Sequence, residues 1–213
     1  ASTTTNFGFN SSNQLLLTLS GTAAVTTTAV YRDPAAWYHL VYVQNGATQT
    51  IYVNGVSAGT GTTANTVFNT AIAHQLAAAN TTSYFDGEMA EVNFIDGQAL
   101  APTAFGAYST YNQWLPIAYA GTYGTNGFYL PFTNTASTST LVADSSGNAN
   151  NWTPNNISLT AGSTYDSLTD VPTLTSTTVA NYAVLNPLDH TVNSYATLAN
   201  GNLQALGNTA TDS

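Results

Sequence analysis

Residues 36–56 read "AWYHLVYVQNGATQTIYVNGV". Two apolar-alternating runs flank Asn45-Gly46, and a second Asn-Gly closes the stretch. Side chains along a strand point alternately to its two faces. Tyr38, Leu40 and Tyr42 therefore share one face, and His39, Val41 and Val43 the other. Ile51 and Val53 then share a face, with Tyr52 opposite. Asn-Gly tolerates the positive φ of a hairpin turn. Large apolar groups on both faces predict a hairpin inside a larger sheet, covered on at least one side. A lone hairpin is marginal in water.

Working outward, "NQLLLTLSG" and "AAVTTTAVY" predict two short strands separated by Gly21. Pro34 in "RDPAAW" ends the second, because proline cannot sit in a central strand. On the other side, a strand is expected around Ala71–Leu76. In "YFDGEMAEVNFIDGQAL", two Asp-Gly pairs bracket a strand in which Ala90, Val92 and Phe94 alternate with Met89, Glu91 and Asn93. "LAPTAFGAYS" predicts a short helical turn, with Pro102 near its first position and Gly106 near its end. "GTNGFYLPF" reads as a strand and "DSSGNANNW" as a loop. From Thr160 onward apolar residues thin out and no period is sustained.

The 213 residues suffice for one large β domain, or for one and part of another. Hydrophobic residues make up 43%, which excludes global disorder. Thr occurs 37 times, and its branched Cβ favours strands. Net charge is −9 and Arg32 is the one cation, so nucleic acid and anionic membranes are disfavoured partners. A neutral glycan or another protein remains open. Cysteine is absent, which rules out disulfides and thiolate metal sites. No apolar run is long enough to insert in a membrane as a helix, and the opening residues lack the pattern of a signal peptide. Asn10, Asn80, Asn151 and Asn156 match the glycosylation acceptor pattern, as chance dictates in so Asn- and Thr-rich a chain.

Trp37, His39, Tyr52, Val53, Asn54 and Gly55, followed about 30 residues later by Phe85, Asp86, Gly87, Glu91, Val92, Ala99 and Leu100, carry a resemblance. The pattern resembles the laminin-G-like, concanavalin A-like jelly-roll family over roughly residues 7–106. It implies an all-β antiparallel jelly-roll sandwich over residues 1–110, with its opening strands missing and Trp37 buried in the core. Residues 111–213 form a β- and loop-rich, irregular C-terminal extension. "GFYLPFTNTASTSTLVADSSGNANNW" resembles a laminin-G opening, so the extension either starts a second sandwich or completes the first; we favour a dependent region. Fuller wording, including "TTTAVYRDPAAWYH" and "NYAVLNPL", is similar to virion-associated proteins of tailed phages. That similarity implies a virion-surface, extracellular location in a fibre, tail or capsid decoration. Incomplete sandwiches leave open sheet edges, which neighbouring copies or other virion proteins would cover.

Candidate sites are weighed against plainer roles. Glycoside hydrolysis needs two cooperating carboxyl groups. Glu88 and Glu91 are three apart, on opposite strand faces, and no glucanase signature is present, so no enzyme is expected. His39, His74 and His190 show no triad pattern, and the resemblance implies a structural role for His39. For sugar binding, Trp114 and Trp152 sit in polar segments, with Asn54 and Asp86 able to read hydroxyls. Anchoring its own loop is an equally good role for either Trp. Asp86, Asp96 and Asp144 occupy Gly-flanked loops and are the candidate ligands for calcium, which the family often carries. Turn capping is the stronger reading for all three.

Overall fold

The computed structural model describes residues 4–63, 67–79, 83–161, 164–172, 180–185, 196–199 and 201–207. The fold is all-β and antiparallel, of the jelly-roll class, with one short helix among the described residues. The chain divides into two units. One comprises Ala1–Asp33, Tyr38–Gly87 and Asp96–Gly124, the other Pro34–Trp37, Glu88–Ile95 and Thr125–Ser213.

The first unit contains two three-stranded sheets. β1 (Asn6–Phe9), β2 (Leu15–Leu19) and β3 (Thr22–Thr26) pair in that order, as do β4 (Leu40–Asn45), β5 (Thr48–Val53) and β6 (Val56–Thr62). Period-two alternation in "LLLTL" buries Leu15, Leu17 and Leu19 and leaves Leu16 and Thr18 partly open. In the β4–β5 hairpin, Leu40 opposes Val53 and Tyr42 opposes Ile51, so the apolar faces of the two strands coincide. Leu15, Leu17, Leu19 and Val25 from one sheet and Ile51 and Val53 from the other form one core, with Phe7, Tyr38, Leu40, Tyr42 and Phe68 against it. Burying each such aliphatic side chain contributes about 1.5–3 kcal/mol before the entropy of ordering is counted. β6 carries Gly59 and Gly61 where β3 approaches. A Cβ on Gly59 would lie 2.9 Å from Val25 Cγ1, and one on Gly61 would overlap the Ala24 carbonyl.

The two turns differ. Asn45 pairs with Thr48 and stays in the strand, so Gly46 (φ 60°) is the first central residue, the glycine position of a type II′ turn. Asn54 (φ 49°) and Gly55 (φ 79°) both take positive φ, as a type I′ turn requires. At the other end of β5 the buried Gln49 side chain mimics a strand partner: Thr63 N–H donates to its Oε1 at 3.0 Å, and its Nε2 donates to Thr63 O.

Further along come β7 (Val92–Phe94), β8 (Gly106–Tyr108), β9 (Trp114–Pro116), β10 (Phe128–Leu130), α1 (Thr138–Leu141), β11 (Ala196–Ala199) and β12 (Gln204–Gly207). β8 pairs with β9 in the first unit, while β7 pairs with β10 and β11 with β12 in the second. β7 thus takes its partner from the C-terminal part of the chain, with Val92 opposite Leu130. Buried Leu130, Leu141 and Val142 are the second unit's apolar anchors. Ser137 caps α1 through a reciprocal bond with Thr140.

Several expectations are corrected. Residues 71–76 are bends and irregular chain, not a strand, and all but Leu76 are exposed; their Ala-rich sequence offers little to bury. The strand expected from Met89 shrinks to Val92–Phe94, because Glu91 takes φ 54°. Pro102 does open a one-turn 3-10 segment, but Gly106–Tyr108 is strand. Trp37 is half-buried and lies outside any strand, as does Phe85, which is 39% exposed and stacks on Phe9 at 6.5 Å. Much of the extension around residues 173–195, His190 included, lies outside the described residues.

Candidate functional site

The segment that best combines exposed recognition groups with rigid support is the β8–β9 hairpin of the first unit. Beside its turn stands Trp114, which the structure places on a strand and not in a loop. Tyr108 and Trp114 are opposite residues, so they share a face, and their rings meet edge to face at 5.0 Å. The indole fits a slot between two glycines. A Cβ on Gly106 would lie 2.5 Å from its five-membered ring, and one on Gly55 would overlap its six-membered ring. Only glycine permits this approach at either place.

Trp114 Nε1 donates to His39 Nδ1 at 3.0 Å. That bond requires an unprotonated Nδ1, so the proton of the neutral ring sits on Nε2. Burial pushes His39 below its ordinary range, which keeps the acceptor available. Asn54 closes the group: its Oδ1 accepts from His39 N–H at 2.9 Å, and its own N–H donates to His39 O at 2.9 Å. Asn54, His39 and Trp114 are therefore brought together, 75 residues of sequence separating the last two. His39 supports a ring and holds no nucleophile.

At the tip, Ser109 Oγ accepts from the N–H groups of Tyr111 and Gln113, each at 3.2 Å. Ser109 N–H donates to Gln113 O at 2.7 Å, and Asn112 N–H to Ser109 O at 3.0 Å. These bonds fix a turn from which Tyr111 projects, 85% exposed, while Tyr108 is 54% exposed. Sequence reading passed over both tyrosines. Gly-Ala-Tyr lacks branched residues and did not read as a strand, although "YSTYNQW", a polar turn between two aromatics, carried the signal.

The other candidates lie elsewhere. Asp86 is exposed in the segment after the Ala78–Tyr84 bridge. Trp152 belongs to the second unit and packs edge to face on Phe128 at 5.1 Å, anchoring its own loop. Asp96 accepts from Asn69 Nδ2 at 2.7 Å. Asp144 is enclosed by donors: Tyr129 N–H, Ser146 N–H and Ser146 Oγ at 2.8 Å, and Asn150 N–H at 2.9 Å. Desolvation works to raise its pKa, but these bonds prevail and hold it below the usual carboxylate range. With its lone pairs so engaged, Asp144 organises a loop. Among the described residues, no group of three or more His, Asp or Glu side chains is placed to hold a metal ion.

Glu88 and Glu91 differ in their surroundings. Tyr129 OH donates to Glu91 Oε2. Glu88 packs on Gly201, its Oε2 buried with no hydrogen-bond partner among the described residues. Desolvation first, then the charge of Asp170, pushes its carboxyl up to about 7. No described helix is long and apolar enough to cross a membrane.

The comparisons agree with this architecture. Residues 1–105, just under half of the chain, match the laminin G family model described as the concanavalin A-like lectin/glucanases superfamily. The match covers both three-stranded sheets and stops at the foot of the β8–β9 hairpin. No curated protein and no solved structure matches the chain significantly.

Proposed function

We propose that this protein is a non-enzymatic structural and adhesive component exposed on a phage particle, in a tail fibre, tail or capsid decoration. Its partners are further copies of itself and other virion proteins. The observation that carries this reading is the uncharged stretch of residues 97–143, free of Asp, Glu, Lys, Arg and His, attached to a lectin-type sandwich. The exposed residues of such a stretch make contact through aromatic, amide and hydroxyl groups, independent of ionic strength. The hydrogen bond from Tyr129 to Glu91 ties up one of the two carboxylates that glycosidase chemistry would need, which supports a non-enzymatic role. Antibody labelling of intact particles tests the location: gold on the particle surface is expected, and antigen found only in the unassembled fraction overturns it.

A second reading is a lectin-like module that recognises a host surface glycan. It is favoured by one observation, the solvent-facing Tyr108 and Tyr111 on a braced hairpin. Neither reading calls for nucleic acid, and neither requires calcium.

A further inference from the structure

We propose that the tip of the β8–β9 hairpin, presenting Tyr111 and Tyr108, is a binding subsite for an uncharged polysaccharide. The proposal rests on the glycan-binding reading above and assigns that activity to tyrosines in place of the three tryptophans. Trp114 is the poorer stacking platform, because Gly55 and Gly106 press against its indole, Tyr108 meets it edge to face and His39 takes its N–H. Its role is to position the hairpin and to buttress Tyr108. Trp152 is packed on Phe128.

Three features fit the tip to a sugar. First, a phenol ring presents an apolar face to the C–H groups of a pyranose and a hydroxyl to its oxygens. Tyrosine also surrenders little rotamer entropy on binding. Second, the turn is organised before any ligand arrives, since Ser109 Oγ and the Ser109–Gln113 and Ser109–Asn112 backbone bonds hold it. Thr110, Asn112 and Gln113 add hydroxyl and amide groups around Tyr111. Third, charge selects the class of ligand. The tip has no charged residue, and the chain carries −9 with Arg32 its single cation. Uronic, sialic and sulfated polymers would be repelled, whereas a neutral hexose polymer would not. Size points the same way. A turn of this length falls far short of the roughly 1,000 Å² that a stable protein interface buries, but it matches one or two sugar rings.

The test is an array of neutral glucans, mannans and galactans beside hyaluronan and sulfated polymers, probed with the whole protein. Wild type is expected to bind at least one neutral polymer and no acidic one. Tyr111→Ala should weaken binding at least fivefold, Tyr108→Ala should weaken it less, and Tyr111→Phe should retain most of it. The exposure of Tyr111 makes its removal harmless to folding, which an unchanged melting temperature checks. Neutral binding that survives Tyr111→Ala and Tyr108→Ala together overturns the hairpin subsite and leaves the glycan-binding reading standing. Absence of binding to every neutral polymer overturns both. Self-association by sedimentation velocity that Tyr111→Ala abolishes would make the tip a contact between copies, which also overturns the proposal.

Discussion

The β2–β5 core and the Asp144 loop show two ways to order a chain that has almost no ion pairs to use. In the first, Leu15, Leu17 and Ile51 are completely removed from water, and the sheets meet through branched side chains and glycines. In the second, one carboxylate collects four donors, and Asn148 and Asn150 donate to the carbonyl of Gly127 at 2.9 Å. Apolar burial is non-directional and indifferent to pH. The carboxylate knot is directional and depends on ionisation. The two regions should therefore fail under different conditions.

The largest expected effect breaks the apolar side of the comparison. Ile51→Ala removes a fully buried side chain that faces Leu17 and its neighbours, and should cost about 3–4 kcal/mol. Urea unfolding followed by tryptophan fluorescence measures the loss. It should be the same at pH 4 and pH 8. A loss below about 1 kcal/mol would mean that the two sheets do not share the core described.

Asp144→Ala acts on the polar side and should cost about 2–3 kcal/mol, since four donors lose a charged acceptor. The sign with pH follows from a carboxyl held below its ordinary range. Its contribution is present above the unfolded-state value and disappears as pH falls through the lowered, folded-state value. Wild type and Asp144→Ala should accordingly converge in strong acid. Amide exchange at Tyr129 gives a local readout, and slow exchange retained in the variant would show that Asp144 is not what holds the loop.

The contrast also explains what the sequence made legible. The two flanks of Asn45-Gly46 obey a period of two, so the faces they present could be read directly, whereas the pairing of Leu40 with Val53 and of Tyr42 with Ile51 could not. The turn itself slipped by one residue, because Asn45 and Gly46 are both turn-competent and only the register with Thr48 decides which is central. Aspartates next to glycine signalled loops, yet nothing local could say that Asp144 would face Tyr129 or that Asp86, Asp96 and Asp144 would divide between two units. Trp114 shows the limit most plainly. Its polar surroundings suggested an exposed ring, whereas its partners Gly55 and His39 lie 59 and 75 residues back (114 − 55 and 114 − 39). Long-range glycines leave no periodic trace.

The smallest effect sharpens the comparison, because it reverses the pH dependence within the second unit. Glu88 is the opposite of Asp144: a carboxyl with a buried oxygen that has no hydrogen-bond partner among the described residues, near Asp170 and packed on Gly201, and pushed up to about 7. Asp170 is itself committed, since Tyr182 N–H donates to its Oδ1 at 2.8 Å. The folded chain holds the Glu88 proton more tightly than the unfolded chain does. Stability is therefore greatest when both states are protonated, and it declines as pH rises from the ordinary carboxylate range through about 7. Glu88→Gln supplies a permanently neutral group of the same shape. Part of the side chain meets solvent, which screens the penalty, so the gain at pH 8 should be on the order of 1 kcal/mol. At pH 4.5 the variant and wild type should be nearly equal. Urea midpoints at the two pH values decide the matter: an equal gain at both would place the benefit in packing, and a loss at pH 8 would mean that the Glu88 carboxylate is stabilised by a partner.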